Sequence, residues 1–162
     1  MSKLSVFSPW FYEQLLKSLE FESALDIGCG KGDLLVFLKQ KNPNAKLTGL
    51  DNFLDKEKKI SKLKGIAFKK GNALKTGFKN NSFDLVISTH LIEHLDALAF
   101  VQECKRISKK YVVIATDEPK NSFWDDPTHV RPHTISSLRK LLQLTDLKEI
   151  RIFKLPLIPT IA

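Results

Sequence analysis

The feature that most constrains the fold is a glycine-rich turn between a short apolar run and a helical segment. The run Ala24–Ile27 is typical of a buried strand, and a helical pattern covers residues 33–40. Between them stand Gly28, Gly30 and Gly32. Glycines at alternate positions allow positive φ angles and let a ligand approach the backbone closely. We therefore predict a strand–turn–helix unit whose turn binds a ligand.

The remainder of the chain alternates short apolar runs with helical periodicities, which is typical of βαβ units around a parallel sheet. Strands are predicted at 24–27, 46–50, 66–69, 83–88, 111–116 and 147–153, and helices near 9–19, 33–40, 54–63, 96–107 and 134–142. The 162 residues contain no repeat and no long linker, so we expect one domain. The predicted fold is a Rossmann-like α/β three-layer sandwich, with a mostly parallel sheet of about six strands and helices on both faces.

Charge and hydropathy indicate which kinds of partner the chain can have. The net charge of +8 comes mostly from Lys, whereas Arg is the better residue for phosphate and base contacts. We therefore favour a solvated basic surface, and a nucleic-acid partner stays open. No apolar run approaches the ~18 residues of a membrane span, and no signal-peptide pattern is present. We expect a cytoplasmic protein with no membrane span.

The turn does not match the common phosphate-binding motifs. A dinucleotide fingerprint requires glycine where Asp33 stands, and a P-loop requires Ser or Thr where Gly32 follows Lys31. Asp26 at the end of the first strand favours a cationic ligand over a pyrophosphate. Cys29, between two of the glycines, is expected to be a small filler residue.

Asp26-x-Gly28-x-Gly30-x-Gly32 resembles the first motif of class I, Rossmann-like S-adenosylmethionine-dependent methyltransferases. Asp51 follows 19 residues after Gly32, and the turn with Asn72 and the segment 82–95 continue the resemblance in the family's order over residues 22–116. It implies S-adenosylmethionine as the methyl donor and S-adenosylhomocysteine as the product. The cofactor-binding residues that it implies are Asp26, Gly28, Cys29, Gly30, Gly32, Asp51, Asn52, Asn72, Ala73, Ser88 and Thr89.

Two of these positions have an alternative interpretation. The resemblance implies that Asp51 binds the ribose hydroxyls, but an acid here can also cap the following helix. Asn72 stands where the family usually carries Asp, which binds the adenine amino group. Its side-chain carbonyl can accept the same bond, or it can be an ordinary turn residue.

The acceptor side is expected in the segment after the fourth strand and in the loop 117–132. This loop contains Asp-Pro-Thr-His-Val-Arg-Pro from Asp126, which resembles a segment of some methyltransferases of this class. His90 and His129 are our candidates for the base or acceptor orienter, and Glu93 or His94 could hold His90. The alternative is a plain surface loop with an ion pair between Asp126 and Arg131.

We expect O-methylation of a small-molecule or glycan-like acceptor. An RNA methyltransferase and a non-catalytic S-adenosylmethionine-binding subunit of a partner are the alternatives, and a homodimer is possible. The expected organisation is an N-terminal helix (1–20), a cofactor-binding core (22–116), an acceptor-side loop (117–133) and a last helix and strand (134–162). The terminal antiparallel hairpin of the family is expected to be shortened.

One rival motif overlaps the acceptor side. His90-Leu91-Ile92-Glu93-His94 matches H-x-x-E-H, an inverted zinc-peptidase signature. On a helix its two histidines would share a face and could bind zinc. The motif also requires a third ligand on a helical scaffold, whereas here it follows a buried strand directly. We therefore predict no metal ligands.

Overall fold

The computed structural model describes residues 13, 16, 18–53, 65–116, 119 and 121–147. The helices predicted near 9–19 and 54–63 and the strand predicted at 147–153 lie mostly or wholly outside these residues, as does the terminal hairpin. The described residues therefore test the first five strands and three of the helices.

Five parallel strands form one sheet, in the order β3-β2-β1-β4-β5. The strands are β1 (Ser23–Ile27), β2 (Lys46–Asp51), β3 (Ile66–Lys70), β4 (Phe83–Thr89) and β5 (Ser108–Ala115). The helices are α1 (Asp33–Lys41), α2 (Ala97–Ile107) and α3 (Ile135–Gln143), and 3-10 turns cover Ile92–His94 and Asn121–Asp125. The prediction of a Rossmann-like α/β fold is confirmed, with element bounds within a few residues of those predicted.

Two apolar cores lie on opposite faces of the sheet because successive side chains of a strand point to opposite sides. Ala24 of β1 packs with Leu35 and Leu38 of α1 in one core. Leu25 and Ile27 pack in the other core, which also contains Phe100 of α2. Both faces of β1 are therefore buried, as in a parallel sheet covered by helices on both sides.

The helix ends reflect local sequence chemistry. Asp96 caps α2 by accepting a hydrogen bond from the Ala99 N–H, and Thr134 caps α3 through Ser137. By contrast, Gly32 at the N-cap of α1 has no side chain that could accept a bond from the helix. The first turn of α1 therefore begins directly at the glycine-rich loop.

The strand order places a topological switch point between β1 and β4. Moving outward from β1, the chain continues through β2 and β3 on one side and through β4 and β5 on the other. In open α/β sheets of this kind, ligands bind in the crevice beyond the carboxyl ends of the strands at the switch point. The glycine turn after β1 lies at this edge.

Candidate functional site

The glycine turn has the backbone that its sequence predicts. Gly28, Gly30 and Gly32 have φ angles of 77°, 48° and 79°, which are strained for residues with a side chain. A Cβ at Gly28 would lie 3.0 Å from the Leu91 side chain, whereas no atom of the described residues lies within 4 Å of a Cβ at Gly30. Gly28 therefore packs against the segment after β4, and Gly30 faces open space.

Asp51 joins the end of β2 to the glycine turn. Its Oδ2 accepts a hydrogen bond from the Gly30 N–H at 2.9 Å, and its Oδ1 accepts one from the Phe53 N–H at 2.8 Å. The second bond is a local turn contact, and the helix that Asp51 could cap lies outside the described residues. The first bond places the carboxylate beside the glycine turn. Each oxygen can still accept a further bond from a ligand hydroxyl. Asn52 follows at the same edge and is exposed.

Asp26 is a buried acid with an unused acceptor. Its side chain is only 2% exposed, and its Oδ1 has no hydrogen-bond partner among the described residues. Burial first, and the charge of Asp51 second, raise the pKa of Asp26 to about 7. A cationic or N–H-donating ligand at this edge would satisfy the oxygen and favour the carboxylate, so the site fits S-adenosylmethionine.

Cys29 has the filler role that its position predicts. It is buried, and its Sγ lies 2.7 Å from where a Cβ on Gly49 would stand. Burial, with the charges of Asp26 and Asp51, raises the pKa of the thiol to about 12. A thiol with so high a pKa is not a nucleophile at neutral pH.

Asn72 takes the turn role that we had kept as its alternative. Its Oδ1 accepts a hydrogen bond from the Leu74 N–H at 2.8 Å, and its side chain is exposed. Ala73 beside it is half-buried. The turn lies near Asp51 because the Gly71 N–H donates to the Asp51 carbonyl. An adenine contact by Asn72 therefore stays a prediction.

Ser88 and Thr89 end β4 next to β1. The Ser88 hydroxyl donates to the Ile27 carbonyl at 2.8 Å and is buried. This bond links the carboxyl ends of β1 and β4, so Ser88 holds the two strand ends together. Thr89 is half-buried one residue further along.

The structure does not form the helix that the zinc-peptidase motif requires. His90 has a left-handed φ of 51° and precedes the 3-10 turn Ile92–His94. His90 and His94 therefore do not share one helical face. Glu93 lies beside His90 instead, with its Oε1 at 3.9 Å from the His90 Nδ1. Its Oε2 accepts a hydrogen bond from the Thr116 hydroxyl at 3.0 Å.

The acceptor-side loop docks onto this turn. The Val130 and Arg131 N–H groups both donate to the Glu93 carbonyl, at 2.8 and 3.3 Å. His129 is held inside the loop by a 2.6 Å contact between its Nδ1 and the Phe123 carbonyl. The loop thus brings His129 to the edge beyond β4, and its role toward an acceptor stays a prediction.

Asp126 forms no ion pair with Arg131 among the described residues. Its carboxylate accepts hydrogen bonds from the Thr128 N–H at 2.8 Å and from the Thr128 hydroxyl at 2.6 Å. These bonds lower the pKa of Asp126. It also lies 3.8 Å from the His129 Nε2. In place of an ion pair with Arg131, Asp126 thus has local contacts with Thr128 and His129.

Sequence reasoning did not anticipate that His94 approaches His129. Their ring centroids lie 4.7 Å apart, although 35 positions separate them in the chain. The H-x-x-E-H match did single out His94 and Glu93, but it paired them with His90. Nothing local in the sequence indicates that the loop brings His129 to them.

The strand order and the helices define a Rossmann-like domain with an acidic, glycine-rich turn at its switch point. A family model described as a methyltransferase domain matches residues 25–115, more than half of the chain. The chain therefore belongs to the class I S-adenosylmethionine-dependent methyltransferase family. No helix among its described residues is long and apolar enough to cross a membrane.

Individual relatives agree with this assignment. The demethylmenaquinone methyltransferase of Lactobacillus johnsonii is 34% identical over 124 residues, which cover 68% of this chain and 50% of that protein. The Thermotoga maritima demethylmenaquinone methyltransferase is 31% identical over 101 residues, covering 60% and 43%. A crystal structure of a SAM-dependent methyltransferase from Archaeoglobus fulgidus superposes with a TM-score of 0.64 at 24% identity, covering 86% and 69%. The chain spans half or less of these curated relatives.

Proposed function

We propose that this chain transfers the methyl group of S-adenosylmethionine to a hydroxyl of a small-molecule or glycan-like acceptor. The observation that carries the proposal is the buried, unpaired Asp26 oxygen beside Asp51 at the open glycine turn. S-Adenosylmethionine combines a positive sulfonium with a charged amino group and a ribose diol. The two acids and the turn supply acceptors and close backbone approach for these groups.

On the donor side, each residue has a distinct task. Asp26 would accept hydrogen bonds from the cationic part of the donor, and Asp51 would accept them from the ribose hydroxyls. Gly30 keeps the wall of the site open because no side chain projects there. Asn72 and Ala73 would border the adenine. The bound donor supplies a methyl group on a positively charged sulfur, which leaves as a neutral thioether.

On the acceptor side, the protein aligns a hydroxyl and receives its proton. Alignment contributes much of the acceleration in such displacements. His90 and His129 are the proposed base or acceptor orienter, and the buried Glu93 carboxylate at 3.9 Å is positioned to hold the His90 ring. The exposed indole of Trp124 in the loop offers an apolar face against which a sugar ring can stack.

Calorimetric titration with S-adenosylmethionine and S-adenosylhomocysteine tests the donor site. We expect micromolar binding by the native chain and a loss of at least about tenfold in affinity for Asp51→Ala, because charge-assisted hydrogen bonds contribute roughly 1.5–3 kcal/mol. Glu22→Ala is the matched control, since Glu22 is exposed just before β1, at the opposite end of that strand. Failure of the native chain to bind either compound would contradict the proposal.

A second experiment tests the acceptor assignment. With a hydroxylated acceptor found by screening sugars and small metabolites, His90→Ala and His129→Ala should lower turnover by roughly 10²–10⁴, the usual contribution of general acid–base catalysis. Donor affinity should be retained in both. Unchanged turnover would remove these histidines from the mechanism. Methylation of RNA instead, or donor binding without transfer to any acceptor, would favour the two alternative functions.

A further inference from the structure

A cluster of three side chains lies beyond the end of β4 and takes no part in the proposed donor site. Glu93, His94 and His129 each place a ligand atom within 4.8 Å of the other two. Glu93 is 2% exposed, and both histidines are half-buried. The cluster combines the 3-10 turn after β4 with the acceptor-side loop.

Hydrogen bonds orient both imidazole rings in the same way. The Nδ1 of His129 lies 2.6 Å from the Phe123 carbonyl, and the Nδ1 of His94 lies 3.2 Å from the Thr128 carbonyl. A carbonyl oxygen only accepts, so each Nδ1 carries a proton, and in the neutral imidazole the Nε2 is then the acceptor with a free lone pair. Histidines that bind metals usually donate their other ring N–H to a carbonyl or carboxylate in this manner.

Thr128 reinforces the orientation of His94. Its hydroxyl donates to the Asp126 Oδ1 at 2.6 Å and lies 2.9 Å from the His94 Nδ1. Because the single hydroxyl proton points to Asp126, the hydroxyl oxygen accepts from His94. The Nδ1 of His94 is therefore a donor to two oxygens of the same residue, which leaves its Nε2 as the ring's acceptor.

The charges around the two rings favour a cation. The Glu93 carboxylate belongs to the cluster, and the Asp126 Oδ2 lies 3.8 Å from the His129 Nε2. The buried Glu93 carboxylate and the exposed Asp126 carboxylate thus place two negative charges beside the rings. Both charges would attract a positive ion bound between the rings and Glu93.

We propose that Glu93, His94 and His129 bind a divalent first-row transition-metal ion such as Zn²⁺, through one carboxylate oxygen and the two Nε2 atoms. Two imidazoles and a carboxylate are a known catalytic zinc ligand set that leaves a coordination position open. Ligand atoms at about 2.1 Å from zinc stand about 3.4 Å apart in a tetrahedron, so the three ligand atoms, which lie within 4.8 Å of one another, would move closer together on binding. Mg²⁺, which prefers oxygen ligands, fits less well.

The ion would give the proposed methyl transfer a way to position its acceptor. Its open position would take an oxygen of the acceptor, so that His129 orients the acceptor through the ion and His90 remains the base. This role rests on the proposed methyl transfer, whereas metal binding itself does not. The proposal also departs from the expectation of no metal, because the third ligand that the sequence motif lacked comes from the loop.

Equilibrium dialysis of the full chain against Zn²⁺, with Mg²⁺ as comparison, tests the site. We expect one equivalent of bound zinc and much weaker binding of Mg²⁺. His94→Ala and His129→Ala should each weaken zinc binding by roughly 100-fold, since loss of even a supporting residue costs 10–100-fold. His90→Ala is the matched control and should retain zinc. Absence of zinc binding by the native chain, or equal losses in all three variants, would overturn the proposal.

X-ray absorption spectroscopy of the zinc-loaded native chain tests the ligands without any substitution. We expect imidazole and oxygen ligands at about 2.0–2.1 Å and no sulfur at about 2.3 Å. Sulfur ligation would assign the ion to Cys29 or Cys104 and overturn the proposal. Titration of the native chain with S-adenosylmethionine separates the metal-site proposal from the proposed methyl transfer. A native chain that binds the donor but not zinc would contradict only the metal site.

Discussion

Asp26 shows how its surroundings determine what one residue can do. In the unfolded chain this carboxyl is ionised at neutral pH, but burial raises its pKa from 3.8 to about 7 in the folded protein. Between pH ~4 and 7 the folded state therefore holds the extra proton, so this group's contribution to stability falls as pH rises through that window. Binding a cation reverses the preference and favours the ionised form.

Donor affinity should accordingly depend on pH. We expect S-adenosylmethionine to bind about tenfold more tightly at pH 7.5 than at pH 6, because binding must release the Asp26 proton at the lower pH. Calorimetry in two buffers of different ionisation enthalpy measures both the affinity and the protons released. Asp26→Asn should bind weakly at both values with no proton release. A flat profile in the native chain would show that Asp26 is already ionised without the donor.

At the scale of elements, Glu103 joins helix α2 to the segment that precedes β4. Its Oε1 accepts hydrogen bonds from the N–H and hydroxyl of Thr76, at 2.8 and 2.7 Å, and its carboxylate pairs with Arg106. The hydrogen bond from Arg106, followed by those from Thr76, lowers the pKa of Glu103 to about 2. The stability that these bonds contribute is present above pH ~4.5 and is lost as pH falls toward 2.

Removing this link should destabilise the fold. Glu103→Ala is expected to cost about 2–3 kcal/mol at pH 7, because it removes the carboxylate partner of Arg106 and leaves the Thr76 donors unsatisfied. Gln102→Ala, on the exposed face of the same helix, should change stability by less than about 0.5 kcal/mol. Urea denaturation monitored by circular dichroism gives both values. Similar effects of the two substitutions would mean that Glu103 is no more important than a surface residue.

At the scale of the whole molecule, the sheet order assembles the site from distant parts of the chain. Asp26 and Asp51 lie near the carboxyl ends of β1 and β2, and His90 follows β4, so the parallel arrangement brings all three to one edge. The acceptor-side loop then docks on the same edge through the carbonyl of Glu93. The proposed donor site and the proposed metal site therefore lie at a common edge, although they belong to different loops.

The sequence by itself determined the local elements, because strand and helix patterns and the glycine turn depend on neighbouring residues. The first five strands, the helix near 134–142 and the positive φ angles at Gly28, Gly30 and Gly32 could all be predicted in this way. The resemblance to the methyltransferase family supplied the expected methyl donor and the residues expected to bind it.

Only the tertiary structure decided which distant side chains meet. It paired His94 with His129, directed the Asn72 carbonyl into its own turn and left one oxygen of Asp26 without a partner in the described part of the chain. The physical reason is that periodicity specifies which face a residue occupies, whereas contacts across the chain depend on how loops pack and on which polar groups burial leaves unsatisfied.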